Sequence, residues 1–137
     1  IIDNLMALDL HGLSRDDNKY DNQTEFVWKL KEMANKFNIH LIFVAHPKKS
    51  NGFLRLDDIS GTGNISNIVD NAWIVHRVNA DFRKKTAEMF QWPSDHPAYL
   101  GTNVIEICKD RQNGTQDEFI PLWYENYGDG VRGSCWT

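Results

Sequence analysis

Cysteine is scarce in this chain: Cys108 and Cys135 are the only two among 137 residues, and they lie far apart in unrelated contexts. That excludes a disulfide framework or a paired-ligand zinc site as the organising device, and a reducing, cytoplasmic setting is expected. Long apolar runs are missing as well. The run Leu41-Ile-Phe-Val-Ala45 falls far short of the roughly 20 residues a helix needs to cross a bilayer, and no basic, apolar, small-residue leader opens the chain. No membrane partner and no export are therefore expected. An excess of positive charge is also absent, with 15 Lys and Arg against 19 Asp and Glu for a net charge of −4. Such a balance excludes coating nucleic acid with the whole surface, so any contact of that kind must be a focused basic loop.

What is present suffices for one compact domain, since 41% of the residues are apolar and 12% aromatic. Ile1 and Ile2 read as the end of a buried strand, so an upstream segment is expected to complete the sheet. The polar stretch 11–20 reads as a loop. Asn22 and Glu25 match a capping box, and Phe26, Val27, Leu30, Met33, Ala34 and Phe37 recur at helical spacing, which predicts a helix over 22–37.

The dense run from His40 to His46 predicts a strand buried on both faces, of the kind found in parallel sheets between helices. A basic, Gly-containing loop over 47–56, a short helical or irregular stretch over 61–71, a third strand over 72–76 and a helix over 80–90 follow. Residues 102–110 and 118–124 flank Asn113-Gly114, a hairpin signal. The expected fold is α/β, a mostly parallel sheet flanked by helices and closed by a C-terminal antiparallel hairpin, over residues 1–125. The glycine-containing tail 126–137 is expected to be poorly ordered.

Several residues fall where an α/β sheet does chemistry. Asp3 ends the first strand, and ligands of open α/β sheets bind at that edge. A carboxylate there can hold Mg²⁺ while phosphates supply the other ligands. Equally, an Asp after an apolar strand can simply cap a loop. His46 ends the next strand at the same edge, where an imidazole can donate to a phosphate, although a lone half-buried histidine is more often a structural one. Lys48, Lys49 and Arg55 form a basic segment suited to phosphates along a single strand, and Gly61, Gly63 and Asn64 follow with backbone open to close approach. A solvated surface loop and a plain turn are the bland readings of both. Lys109 and Arg111 sit at the tip of the last hairpin, a common place for surface charge and also a place from which a neighbouring subunit can be reached.

Taken in order, Ile1-Ile-Asp-Asn4, Phe43-Val-Ala-His-Pro-Lys-Lys49, Asp58-Ile-Ser-Gly-Thr-Gly-Asn64, Asp70-Asn-Ala-Trp-Ile-Val-His-Arg77 and Lys109-Asp-Arg-Gln-Asn-Gly114 resemble the motor of DnaB-type replicative DNA helicases. Phage primase-helicases and the mitochondrial Twinkle helicases carry the most similar pattern. The resemblance runs from residue 1 to about Tyr124 and is weakest over 9–21 and 80–101.

The resemblance implies a partial RecA-like P-loop NTPase fold, with ATP and Mg²⁺ as cofactors. It implies single-stranded DNA, a homo-hexameric or similar ring, and a primase as partners. By position it makes Asp3 the Walker B carboxylate and metal ligand, and His46 the γ-phosphate sensor. Lys48, Lys49, Arg55, Gly61, Gly63 and Asn64 become the DNA-gripping loop, Arg111 the arginine finger with Lys109 beside it, and Arg77 and Tyr124 the residues that sandwich adenine.

Two departures stand out. The chain has no glycine-rich P-loop and no catalytic glutamate before Asp3, so by itself it is not expected to hydrolyse ATP. Ser66-Asn67 stands where some members carry an Arg-Gln pair. Two other readings keep a place: an ATPase of recombinase or clock type that does not unwind, and a non-catalytic DNA-binding or assembly module. A metal-dependent phosphatase or nuclease on Asp3, Asp9, His11 and His46 ranks lower, because no further carboxylate or histidine cluster supplies a second metal.

Overall fold

The computed structural model describes residues 1–4, 8, 19–47, 53–58, 64–125 and 135–136. The chain divides into two compact units, one formed by Ile1–Ser50 with Leu54–Asp70 and the other by Asn51–Phe53 with Asn71–Thr137.

The first unit is organised by helix α1 (Lys19–Phe37). Nineteen residues without glycine or proline favour it, Asp21 in its first turn and Lys36 in its last complement its dipole, and Glu25 and Lys29 pair one turn apart. It begins three residues before the predicted start, so Asn22 is a buried residue of the first turns and not the cap. Asn38 terminates it in the left-handed region (φ 50°), and Ile39 N–H donates to Ala34 C=O at 3.1 Å, a Schellman closure.

Val27 and Leu30 are buried as the periodicity predicts. Val27 packs with Ile65 and Ile68 of the short helix α2 (Asn64–Ile68), joined by Phe26, Phe43 and Val69. Each such buried side chain contributes about 1.5–3 kcal/mol. The predicted face ends there, for Met33 and Phe37 are exposed. Lys31 Nζ bonds the Asp70 carboxylate and so ties α1 to the segment that follows α2.

The second unit is a three-stranded antiparallel sheet in the order β1 (Asn71–Arg77), β2 (Asn103–Asp110), β3 (Glu118–Leu122). Between β1 and β2 the chain makes a long excursion through helix α3 (Ala80–Phe90) and a 3₁₀ turn (Pro97–Tyr99). It returns to the end it left, where Val78 N–H donates to Thr102 C=O at 2.9 Å. Asn79 caps α3 by accepting from Phe82 N–H at 2.8 Å, and Gln91 ends it at φ 56°.

One face of the sheet is covered. Phe53, Phe82, Ala98, Tyr99 and Val104 form its core, with Val78, Phe90, Trp92 and Phe119 packed around them. Trp92 lies flat on His96 at 3.8 Å, and Tyr99 hydroxyl meets Thr86 Oγ1 at 2.6 Å. A two-residue pair, β4 (Tyr124–Glu125) with β5 (Cys135–Trp136), completes the described structure.

The expected RecA-like, mostly parallel α/β sheet is overturned. Every sheet among the described residues is antiparallel, and Ile2 and Phe43 form an isolated parallel bridge outside the sheets. The segment 40–46 is not buried on both faces: Ile42 and Val44 are exposed while Leu41, Phe43 and Ala45 are half-buried, the alternation of a strand covered on one side. The strand expected at 72–76 exists as β1, but its hydrogen-bonding partner is β2, running against it from Asn71↔Asp110 to Arg77↔Asn103. The C-terminal hairpin is present as β2 and β3, joined by seven residues that include Asn113-Gly114.

Candidate functional site

In the first unit, Ile2 N–H donates to Ile42 C=O at 2.8 Å and Val44 N–H to Ile2 C=O at 2.9 Å. These bonds align the two short extended segments, and just beyond them the Asn4 side-chain amide donates to Nε2 of His46 at 3.0 Å. Asp3 and His46 therefore leave the same edge of the same local pairing, both exposed to solvent. A magnesium ion held only by protein would need several carboxylates, and no group of three His, Cys, Asp or Glu among the described residues is placed to hold a metal. Asp3 is a single exposed carboxylate at this edge.

In the second unit the predicted residues separate to the two ends of the sheet. At one end Arg77 pairs with Asn103, and Thr102 is the hub beside it. Its carbonyl takes Val78 N–H, its hydroxyl accepts Tyr124 N–H at 2.7 Å, and the same hydroxyl donates to Leu122 C=O at 3.4 Å. Arg77 and Tyr124, both exposed, thus share one rim of the sheet. At the other end Lys109 pairs with Ala72, and Arg111 stands exposed in the turn after β2. At about 3.4 Å per residue, the strand from Asn103 to Asp110 puts on the order of 20 Å between these rims.

The turn that carries Arg111 is closely bonded. Asp110 Oδ1 accepts from Gln112 N–H and Asn113 N–H, both at 3.1 Å, Oδ2 accepts from the Asn113 amide at 2.8 Å, and Asp110 C=O accepts Gly114 N–H at 2.8 Å. Gly114 sits at φ 72°, a conformation glycine adopts without strain. The Asn113 side chain and backbone donors hold the Asp110 carboxyl below its ordinary value of 3.8; burial opposes them slightly, and Gln112 N–H adds to the lowering.

Of the expected DNA-loop residues, Lys48, Lys49, Gly61 and Gly63 lie outside the described residues. Arg55 opens a turn in which its N–H donates to Asp58 Oδ2 at 2.8 Å, and Asn64 begins α2.

Sequence reasoning missed four residues: Asn4, Thr102 and Asp110 at these edges, and Glu106 within the covered face of the sheet. Asn4 and Thr102 gave no signal beyond being polar at strand ends. Asp110 did carry one, an Asp three residues before Asn-Gly. Glu106 carried none: it meets His76 Nε2 at 2.6 Å inside the sheet's covered face, with side chains 1% and 6% exposed. Phe53 stacks on that imidazole at 4.6 Å. In comparison with known proteins, no family model, no curated protein and no solved structure matches this chain.

Proposed function

We propose that this chain is part of an ATP-dependent, ring-forming DNA helicase of the DnaB type, which translocates on single-stranded DNA and unwinds duplex DNA during replication. The observation that carries the reading is the separation within the second unit. Arg77 and Tyr124 share one rim, and Lys109 and Arg111 occupy the other, roughly 20 Å away. A base held between Arg77 and Tyr124 lies at the rim opposite the one that carries Arg111. Arg111, exposed in the turn after β2, would serve the nucleotide of a neighbouring subunit, as an arginine finger acting in trans does.

Within this reading Asp3 holds the metal that accompanies ATP, and His46, oriented by the Asn4 amide, donates toward the terminal phosphate. Such catalysis consists of positioning and charge stabilisation: water displaces ADP from the γ-phosphoryl group while fixed donors take up the developing charge. The chain contains no glycine-rich P-loop, and by itself it is not expected to hydrolyse ATP. The basic segment of sequence that includes Lys48 and Lys49 would make the DNA contact, which salt weakens.

The test is ATP hydrolysis by the full-length protein, with and without single-stranded DNA, as Arg111→Ala protein is mixed into wild type in rising proportion. Hydrolysis that DNA stimulates, and that falls more steeply than the wild-type fraction, supports an interfacial motor. Hydrolysis indifferent to DNA and to Arg111 overturns it in favour of an ATPase that does not unwind. No hydrolysis at all favours a non-catalytic module.

A further inference from the structure

We infer that Asp110 is the positioning residue for Arg111, its carboxylate serving as the splint that fixes the direction in which the finger leaves the sheet. The inference rests on the reading of Arg111 proposed above. Arg111 is the first residue after β2, where ladder hydrogen bonds end, and an arginine on a loose turn would lose its aim with every rotation of the backbone before it. Asp110 removes that freedom from both sides. Its own backbone is held in β2 opposite Asn71. Its carboxylate collects Gln112 N–H, Asn113 N–H and the Asn113 amide, while its carbonyl takes Gly114 N–H.

Four bonds from one residue thus span Arg111 and close the turn around it. Three of them are bonds to backbone N–H groups, and the two that the side chain takes need only an acceptor of the same reach, so the geometry asks for Asp or Asn. Alanine cannot accept these bonds, and glutamate is too long for the same closure. The lowered carboxyl keeps the splint fully ionised at neutral pH. Asp110 makes and breaks no bond in hydrolysis and reaches no phosphate. Its whole effect passes through the guanidinium next to it.

The experiment measures DNA-stimulated ATP hydrolysis by the full-length protein in four variants: Arg111→Ala, Asp110→Ala, Asp110→Asn and the double Asp110→Ala/Arg111→Ala. Asp110→Ala is expected to lower kcat by up to about 10²-fold, the scale of an ångström's misplacement, with KM for ATP little changed. Asp110→Asn recovers most of that loss. The double variant is no slower than Arg111→Ala alone, because a splint has no effect once the residue it aims is gone.

Asp110→Ala at the wild-type rate, with Arg111→Ala impaired, overturns the splint and leaves the finger standing. A double variant much slower than Arg111→Ala also overturns it, since Asp110 would then act on something else. Arg111→Ala at the wild-type rate removes the finger itself, and the splint with it. Ring assembly measured on each variant separates lost aim from lost fold.

Discussion

Removing the Glu106 carboxylate is the most demanding test of the second unit's structure. Glu106 and His76 face each other across β1 and β2 on the covered side of the sheet, Oε2 to Nε2 at 2.6 Å, and both side chains are almost wholly withdrawn from water. Phe53 and Phe82 cover the imidazole at 4.6 and 5.4 Å between ring centres, so no solvent is at hand to replace a lost partner. Glu106→Ala strands that ring nitrogen, which costs about 1–3 kcal/mol for a neutral hydrogen bond and about 3–5 kcal/mol for a broken buried ion pair. Glu106→Gln keeps an acceptor at the same reach and is expected to cost about 1 kcal/mol if the ring is neutral and markedly more if it is charged.

The double substitution His76→Phe with Glu106→Met replaces both polar groups by apolar ones of similar size. It is expected to restore stability to within about 1 kcal/mol of the wild type. Native-state hydrogen exchange at the amides of β1 and β2 reads this sheet separately from the first unit. A loss below about 1 kcal/mol for Glu106→Ala, or a double variant no better than the single one, would refute the buried pair.

Two further outcomes follow from the same sheet. At Gly101 an added Cβ would lie 2.5 Å from Leu122 O, 2.7 Å from Asn103 O and 2.8 Å from Leu122 N, all backbone atoms; Gly101→Ala should cost about 1–3 kcal/mol and speed amide exchange at Leu122, and unchanged exchange would contradict the close approach. The Asp110 carboxyl is held below 3.8 by Asn113 and Gln112, so its stabilisation of the turn is fully present above that value and is lost as the pH falls through the lower, folded-state value. Following the Gln112 and Asn113 amide resonances from neutral pH downward should give a midpoint below 3.8, and a midpoint at or above it would show that the splint is not formed.

Local structure was largely legible in the sequence, and strand pairing was not. Helix α3 occupies the predicted residues 80–90 because its signals are local: a polar cap at Asn79, no interior glycine or proline, and a stop at Gln91. Strands β1, β2 and β3 also fall where apolar, β-rich runs predict them. Their partners differ because a short apolar run has the same composition whether its neighbour is parallel or antiparallel. The run at 40–46 gave the most misleading signal, as its continuous apolarity implied two covered faces where one is open. The Asn-Gly pair marked the hairpin between runs ending at 110 and resuming at 118, and Asp110 and Gly114 close the turn there.

The edge shared by Asp3 and His46 was legible because it follows from two strand ends lying side by side, and a single bridge between Ile2 and Phe43 is enough for that. The Arg77 and Tyr124 rim depends on Thr102, a residue with no distinctive signal whose hydroxyl accepts one N–H and donates to one carbonyl.

The positions of Arg77 and Arg111 depend on β2 and not on the kind of sheet around it. Arg77 is held opposite Asn103 and Arg111 follows Asp110, so the two arginines sit near opposite ends of one continuous strand, whatever stands beside it. Drawing the two backbones together would break the β1–β2 ladder that carries the unit's buried His76–Glu106 pair, so substitutions at Arg77 and Arg111 are expected to act as independent sites, with stability effects that add.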